Sequence, residues 1–271
     1  MKYRQISNLL WVSIFICTLL RVIQIVFTLD AATGFMKQQY SKISILISFI
    51  VIATTLAITI LSNVVEDMDP QKKTIQPMLA IASLLTGGMF LYEMVASTSA
   101  LKIGFISGSV MVALALASAI VFMAYGLKNI YEYNFPNIAL VVPVIYYVAK
   151  LINLFVSTSM LSLVTKNVFM LFANAALLLF MFEFSSFENE FKGEAQKPKK
   201  LFIIAIGTTM ICMVTGLPTI FAAILQKIEY SKGDVASSLL VITQAIFIFV
   251  YTKGRLFKKD TKPTPVSKHS A

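Results

Sequence analysis

The chain has 271 residues, of which 58% are hydrophobic and 13% charged, and its mean hydropathy is +0.80. One soluble core cannot hide that much apolar surface, so the composition excludes an ordinary water-soluble domain and calls for lipid around the chain. The formal net charge of +10 would point a soluble protein toward nucleic acid; here the basic residues gather in short segments between apolar runs, as membrane topology requires, and no nucleic-acid partner is expected.

Eight apolar runs of about 20 residues, the length that crosses a hydrocarbon core about 30 Å thick, predict helices at 8–29, 43–64, 77–97, 104–125, 137–158, 168–187, 201–226 and 235–252. The first run follows Lys2 and Arg4 in the manner of a signal peptide. Its apolar span is too long for one, however, and it is expected to remain as a helix. The seventh run is the longest and holds Pro218, which a transmembrane helix tolerates where neighbouring groups satisfy the freed carbonyl. Cys17 and Cys212 both lie inside apolar runs, so neither a disulfide framework nor a cysteine zinc site is supported, and no cofactor or metal is expected.

Orientation follows from the basic residues between the runs. With the N-terminus inside, fifteen Lys and Arg fall in cytoplasmic segments and six outside, which predicts a multi-pass cell-membrane protein with both termini cytoplasmic. The excess of Lys over Arg, twenty to three, fits a bacterial chain of AT-rich coding.

The two halves of the sequence resemble each other. Arg21, Gln24 and Thr28 in the first run match Lys150, Asn153 and Ser157 in the fifth, 129 positions later. Thr86-Gly87 and Thr215-Gly216 share that offset, as do Gly104 and Gly233, while the Lys72-Lys73 and Lys199-Lys200 pairs differ by 127 and Gly126 and Gly254 by 128. An offset held between 127 and 129 along the chain predicts an all-α integral membrane protein of about eight transmembrane helices, arranged as two tandem parallel four-helix repeats. The first repeat would span 1–129 and the second 130–252, followed by a disordered basic cytoplasmic tail at 253–271. That tail holds Pro263, Pro265 and the single histidine, His269, and its basic start offers a contact for anionic lipid.

Ionisable groups inside a membrane are costly and face the protein interior or a wet cavity. Arg21, Lys150, Glu93 and Glu183 are the four within the predicted spans. Arg21 with Gln24, and Lys150 with Asn153, each place a cation and an amide on one helix face, so these four are candidate ligand-binding residues for an anionic solute. Glu93 falls near Arg21 in depth and is its candidate charge partner. Glu183 lies nearer the inner interface. Pro143 and Pro218 are candidate kinks beside a cavity.

No catalytic motif occurs, with no HExxH, P-loop, GxGxxG or GxSxG and no Asp inside any predicted span, so no enzyme is expected. Two functional readings follow. One is a transporter or transport subunit for a small anionic or polar solute, bound between the halves by Arg21 and Lys150. The other is a non-transporting membrane sensor or assembly component that contacts a separate protein partner.

Overall fold

The computed structural model describes residues 3–28, 37–65, 76–97, 106–131, 134–160, 165–189, 197–225 and 231–257. Gly104, Lys72, Lys73, Lys192, the Ser157 side chain and the tail from Lys258, His269 included, lie outside the described part. All regular structure among the described residues is helical. The helices are α1 (Tyr3–Thr28), α2 (Ser41–Ser62), α3 (Pro77–Ser97), α4 (Gly108–Tyr131), α5 (Val141–Met160), α6 (Thr165–Glu188), α7 (Lys197–Ile224) and α8 (Lys232–Leu256), with 3-10 turns at Gln38–Tyr40 and Asn137–Leu140.

All eight helices are long and apolar enough to cross a membrane, which fits a multi-pass membrane protein. Their outward faces say the same. Phe15, Phe49 and Ile60 are each about 70% exposed, an arrangement that water would penalise at about 25 cal/mol per Å² of apolar surface. Inside the helices, hydroxyls find acceptors on their own backbone. Thr54, Thr59, Ser83, Thr86, Ser118 and Thr215 all donate to the carbonyl four residues earlier at 2.7 to 2.8 Å, which removes the cost of an unpaired polar group in an apolar medium.

Several ends differ from expectation. α4 runs on to Tyr131, through Gly126, which is a point of close approach to α3: a Cβ there would meet Ala80 O at 3.1 Å and Ser83 Cβ at 3.2 Å. α8 continues through Lys253 and Arg255, so the first residues assigned to the tail are helical. α8 also starts earlier than expected, on a capping box in which Ser231 and Asp234 bond reciprocally. Pro143 occupies the first turn of α5, where its missing N–H has little consequence. Pro218 sits inside a continuous α7.

The packing is a ring with an attachment. Helices α3 to α8 pack each on the next, and α8 returns to pack on α3. The α1–α2 hairpin docks on α7. Tyr3 stacks on Phe257 at 4.0 Å, and Gln76 Nε2 donates to Gly254 O at 2.7 Å; these contacts gather the starts of α1 and α3 and the end of α8 at what is called here the near end. The opposite end is the far end. Between them the ring is filled by rings of another kind: Phe122 meets Phe247 at 5.2 Å, Phe184 meets Phe247 at 5.7 Å and Phe90 meets Phe122 at 5.6 Å.

This packing bears on the sequence similarity between the halves. The hairpins α1–α2 and α3–α4 have their main partners in the second half rather than in each other. Gly87 and Gly216 both hold a close helix approach, to α4 and α8 respectively, but in different register. Gly87 faces Ala119 and Met123, and the 129 offset would set Gly216 opposite Ile248; its contacts are Ser238 and Ile242.

Candidate functional site

Arg21, Gln24 and Thr28 share one buried face of α1, as their spacing dictates. That face turns toward α2 and α6. Arg21 Nη1 donates to Gln24 Oε1 at 2.5 Å, and its guanidinium carbon lies 3.7 Å from the centre of the Phe169 ring on α6. Gln24 Nε2 points its hydrogens at Ser44 O, Ser44 Oγ and Ser48 Oγ on α2, at 2.7 to 2.9 Å. Thr28 closes back on its own helix, donating to Gln24 O at 2.6 Å. A π face and an amide oxygen thus engage the buried cation, and the amide passes the connection on to α2. The set clamps the α1–α2 hairpin together and ties it to α6.

Lys150 has a different kind of neighbour. Its ammonium lies 2.6 Å from Glu93 Oε1, with both side chains largely shielded, at 12% and 5% exposure. The sequence places Glu93 at the depth of Arg21; the structure gives it to Lys150 instead. The reason is topological: α1 packs on α2 and α7, whereas α3 and α5 belong to the same ring. Tyr146 OH donates to Glu93 Oε2 at 2.5 Å, and the Ser237 hydroxyl donates to Glu93 Oε1. Three donors, two from α5 and one from α8, therefore converge on a carboxylate from α3. Since α3 and α5 are not neighbours in the ring, their side chains meet across its interior.

Asn153, one turn after Lys150, plays a positioning part. Its Oδ1 accepts from Ile106 N at 2.8 Å, which fixes the approach to α4. Close to the Glu93 group, the Tyr147 hydroxyl donates to Gln244 Oε1. Gln244 is fully buried and its Nε2 has no acceptor among the described residues, nor has the buried Ser238 hydroxyl beside Ser237. Such unpaired polar atoms cost about 1–3 kcal/mol each in an apolar interior.

A second acid closes the near end of the same ring. Glu188 Oε1 accepts from Tyr251 OH at 2.9 Å and Tyr125 OH at 3.1 Å, and Oε2 lies 3.8 Å from Lys128 Nζ. Lys128 donates to Asn137 Oδ1 at 2.6 Å, and Asn137 Nδ2 donates to Glu188 O at 2.6 Å. Here again the contributors, α4, α6 and α8, alternate around the ring. Glu183, by contrast, pairs at 2.6 Å with Lys200, whose side chain is 64% exposed.

The spacing argument passed over Tyr146, Ser237 and the Glu188 group. Tyr146 stands one turn before Lys150, so its place on the same face was readable; Ser237 is brought in only by the closure of α8 on α3. Glu188 falls just past the predicted sixth span, and Lys128 reads in sequence as a loop cation. Matching the chain with protein-family models, curated proteins and solved structures gives no match in any of the three, so the functional reading rests on this geometry.

Proposed function

We propose that the chain is a membrane transporter, or the membrane subunit of one, for a small solute bearing a carboxylate or phosphate group. The observation that carries this reading is the convergence of Lys150, Tyr146 and Ser237 on Glu93. Those three donors make an oxyanion site inside the ring, and the protein's own carboxylate fills it. Charge-assisted bonds of this kind are short and strong, and a buried ammonium keeps its charge only while an anion stays with it. A solute's anionic group can therefore take the place of Glu93, and the exchange unlocks α3 from α5 and α8. The Gln244 Nε2, without an acceptor among the described residues, supplies a further donor for the solute's polar part. In this reading Lys150 binds the solute, while Arg21 and Gln24 anchor the hairpin and Asn153 positions α4. The near end, with Lys128 and Arg255, faces the cytoplasm, in keeping with the fifteen to six distribution of basic residues.

A specific observation also favours assembly with a partner protein. α2 is the least enclosed span, 22% buried, and presents Ile45, Leu46, Phe49 and Ile60 outward, a face that a partner helix as well as lipid would cover.

The test begins with Glu93→Ala, which empties the oxyanion site and leaves its donors in place. Acetate should raise the thermal midpoint of this variant relative to chloride and should leave the wild type unmoved. Vesicles containing the wild-type protein should then take up a small carboxylate or phosphate ester, and Lys150→Gln should abolish uptake. A folded Glu93→Ala protein indifferent to acetate would overturn the oxyanion site. Rescue by acetate without uptake from a broad panel of such solutes would overturn transport and leave assembly.

A further inference from the structure

Arg255 is a further buried cation. It sits in the last turn of α8 and is 6% exposed. Lys150 has Glu93, Lys128 has Glu188, and Arg21 lies against a ring face. Among the described residues the Arg255 guanidinium donates from Nη2 to the neutral Asn129 Oδ1 at a long 3.4 Å and to the Tyr125 hydroxyl, while its buried Nε finds no acceptor. A guanidinium carries five N–H donors in a planar fork suited to two oxygens of one anion. The Nε–H of that fork is unused among the described residues.

The nearest carboxylate does not fill the fork. Glu188 acts on Arg255 electrostatically, but its Oε1 is occupied by Tyr125 and Tyr251 and its Oε2 faces Lys128. Arg255 and Lys128 thus both act at the Glu188 carboxylate. The remaining wall is polar too, since Asn129 and Asn137 hold their amides there. A helix C-terminus favours a cation in its last turn, which explains a basic residue at this position. It does not explain why the guanidinium is turned inward with its Nε unpartnered.

We propose that a tetrahedral phosphate oxyanion binds at the near end between the ends of α4 and α8, held through the fork of Arg255 with Lys128 close by. Two sources carry that group: a free inorganic or organic phosphate, and the headgroup of an anionic phospholipid. The site is distinct from the Glu93 group at the far end and does not depend on whether the chain transports anything.

The experiment uses the full chain purified in a neutral detergent. Thermal unfolding is followed with sodium phosphate against sodium chloride at matched ionic strength, and with mixed micelles containing phosphatidylglycerol against phosphatidylcholine alone. One of the two phosphate sources should raise the wild-type midpoint by several degrees. Stabilisation by sodium phosphate identifies a free anion; stabilisation by phosphatidylglycerol alone identifies a headgroup. Arg255→Gln should lose the shift. Should that variant fail to fold, Arg255→Lys retains the charge without the fork and should need about tenfold more of the same phosphate source for half the shift. Ser48→Ala, on α2 and outside both anion groups, should keep the shift in full. No shift from either source, or equal shifts in the wild type and the Arg255 variants, would overturn the site.

Discussion

Arg21 and Lys150 occupy equivalent places in the sequence similarity and lie toward the same end of the molecule, each followed by an amide three residues on. Their environments are nonetheless opposite in kind. Arg21 is engaged by an amide of its own helix and by an aromatic face, whereas Lys150 faces a carboxylate delivered from across the ring. The chemistry of the two cations makes the difference possible. A guanidinium is planar, weakly hydrated and able to stack; an ammonium is a compact, strongly hydrated charge that a flat π face compensates less well. One cation therefore serves to fasten a hairpin, and the other holds an anion site inside the ring.

The largest effect that would sharpen this contrast concerns the ion pair. Lys150→Ala leaves the buried Glu93 carboxylate without its counter-charge and should destabilise the protein by about 3–5 kcal/mol. Combining it with Glu93→Ala should recover much of that loss, because removing both charges removes the stranded one. Reversible unfolding in detergent reads both quantities. A double variant as unstable as Lys150→Ala alone would break the account of Lys150 as a pair member.

Arg21→Ala should cost less, about 2 kcal/mol, the scale of a desolvated cation–π contact together with a hydrogen bond to a charged group. Arg21→Lys should restore little of it, since an ammonium has no plane to lay on Phe169. Because Glu93 takes its donors from α5 and α8, the Arg21→Ala and Glu93→Ala effects should add to within about 0.5 kcal/mol. A coupling of 1 kcal/mol or more would reunite the two regions and break the comparison.

Helix number and the interior placement of Arg21 were legible in the sequence because both follow from local quantities: the length of an apolar run and the cost of a charge within it. The partner of Glu93 was not legible, because depth along a helix says nothing about which helix stands beside it. That was fixed by α8 returning to α3 and by the α1–α2 hairpin docking on α7, events between residues far apart in the chain. Ser237 meets Glu93 across 144 positions, and no spacing rule reaches that far. Lys128 and Arg255 illustrate the converse error. As basic residues near helix ends they read as topology signals, yet both are buried in the fold.

The smallest effects separate the two regions most finely. Ser237→Ala removes one of three donors to an ionised carboxylate, and a bond to a charged group contributes about 1.5–3 kcal/mol. Ser48→Ala removes one of three acceptors offered to the neutral Gln24 amide, which leaves Ser44 O and Ser44 Oγ for the two hydrogens; the loss should stay below about 0.5 kcal/mol, since a neutral hydrogen bond contributes about 1 kcal/mol net and most of this one is replaced. The ratio matters more than either value. A hydroxyl lost beside a buried charge cannot be replaced by a neighbour already committed, and the remaining donors, Lys150 and Tyr146, are both spoken for. Unfolding free energies of the two single variants, measured in one detergent, give that ratio directly. Equal losses would mean that Glu93 is not ionised where it stands, and the contrast between a fastened hairpin and a charged site would fall with it.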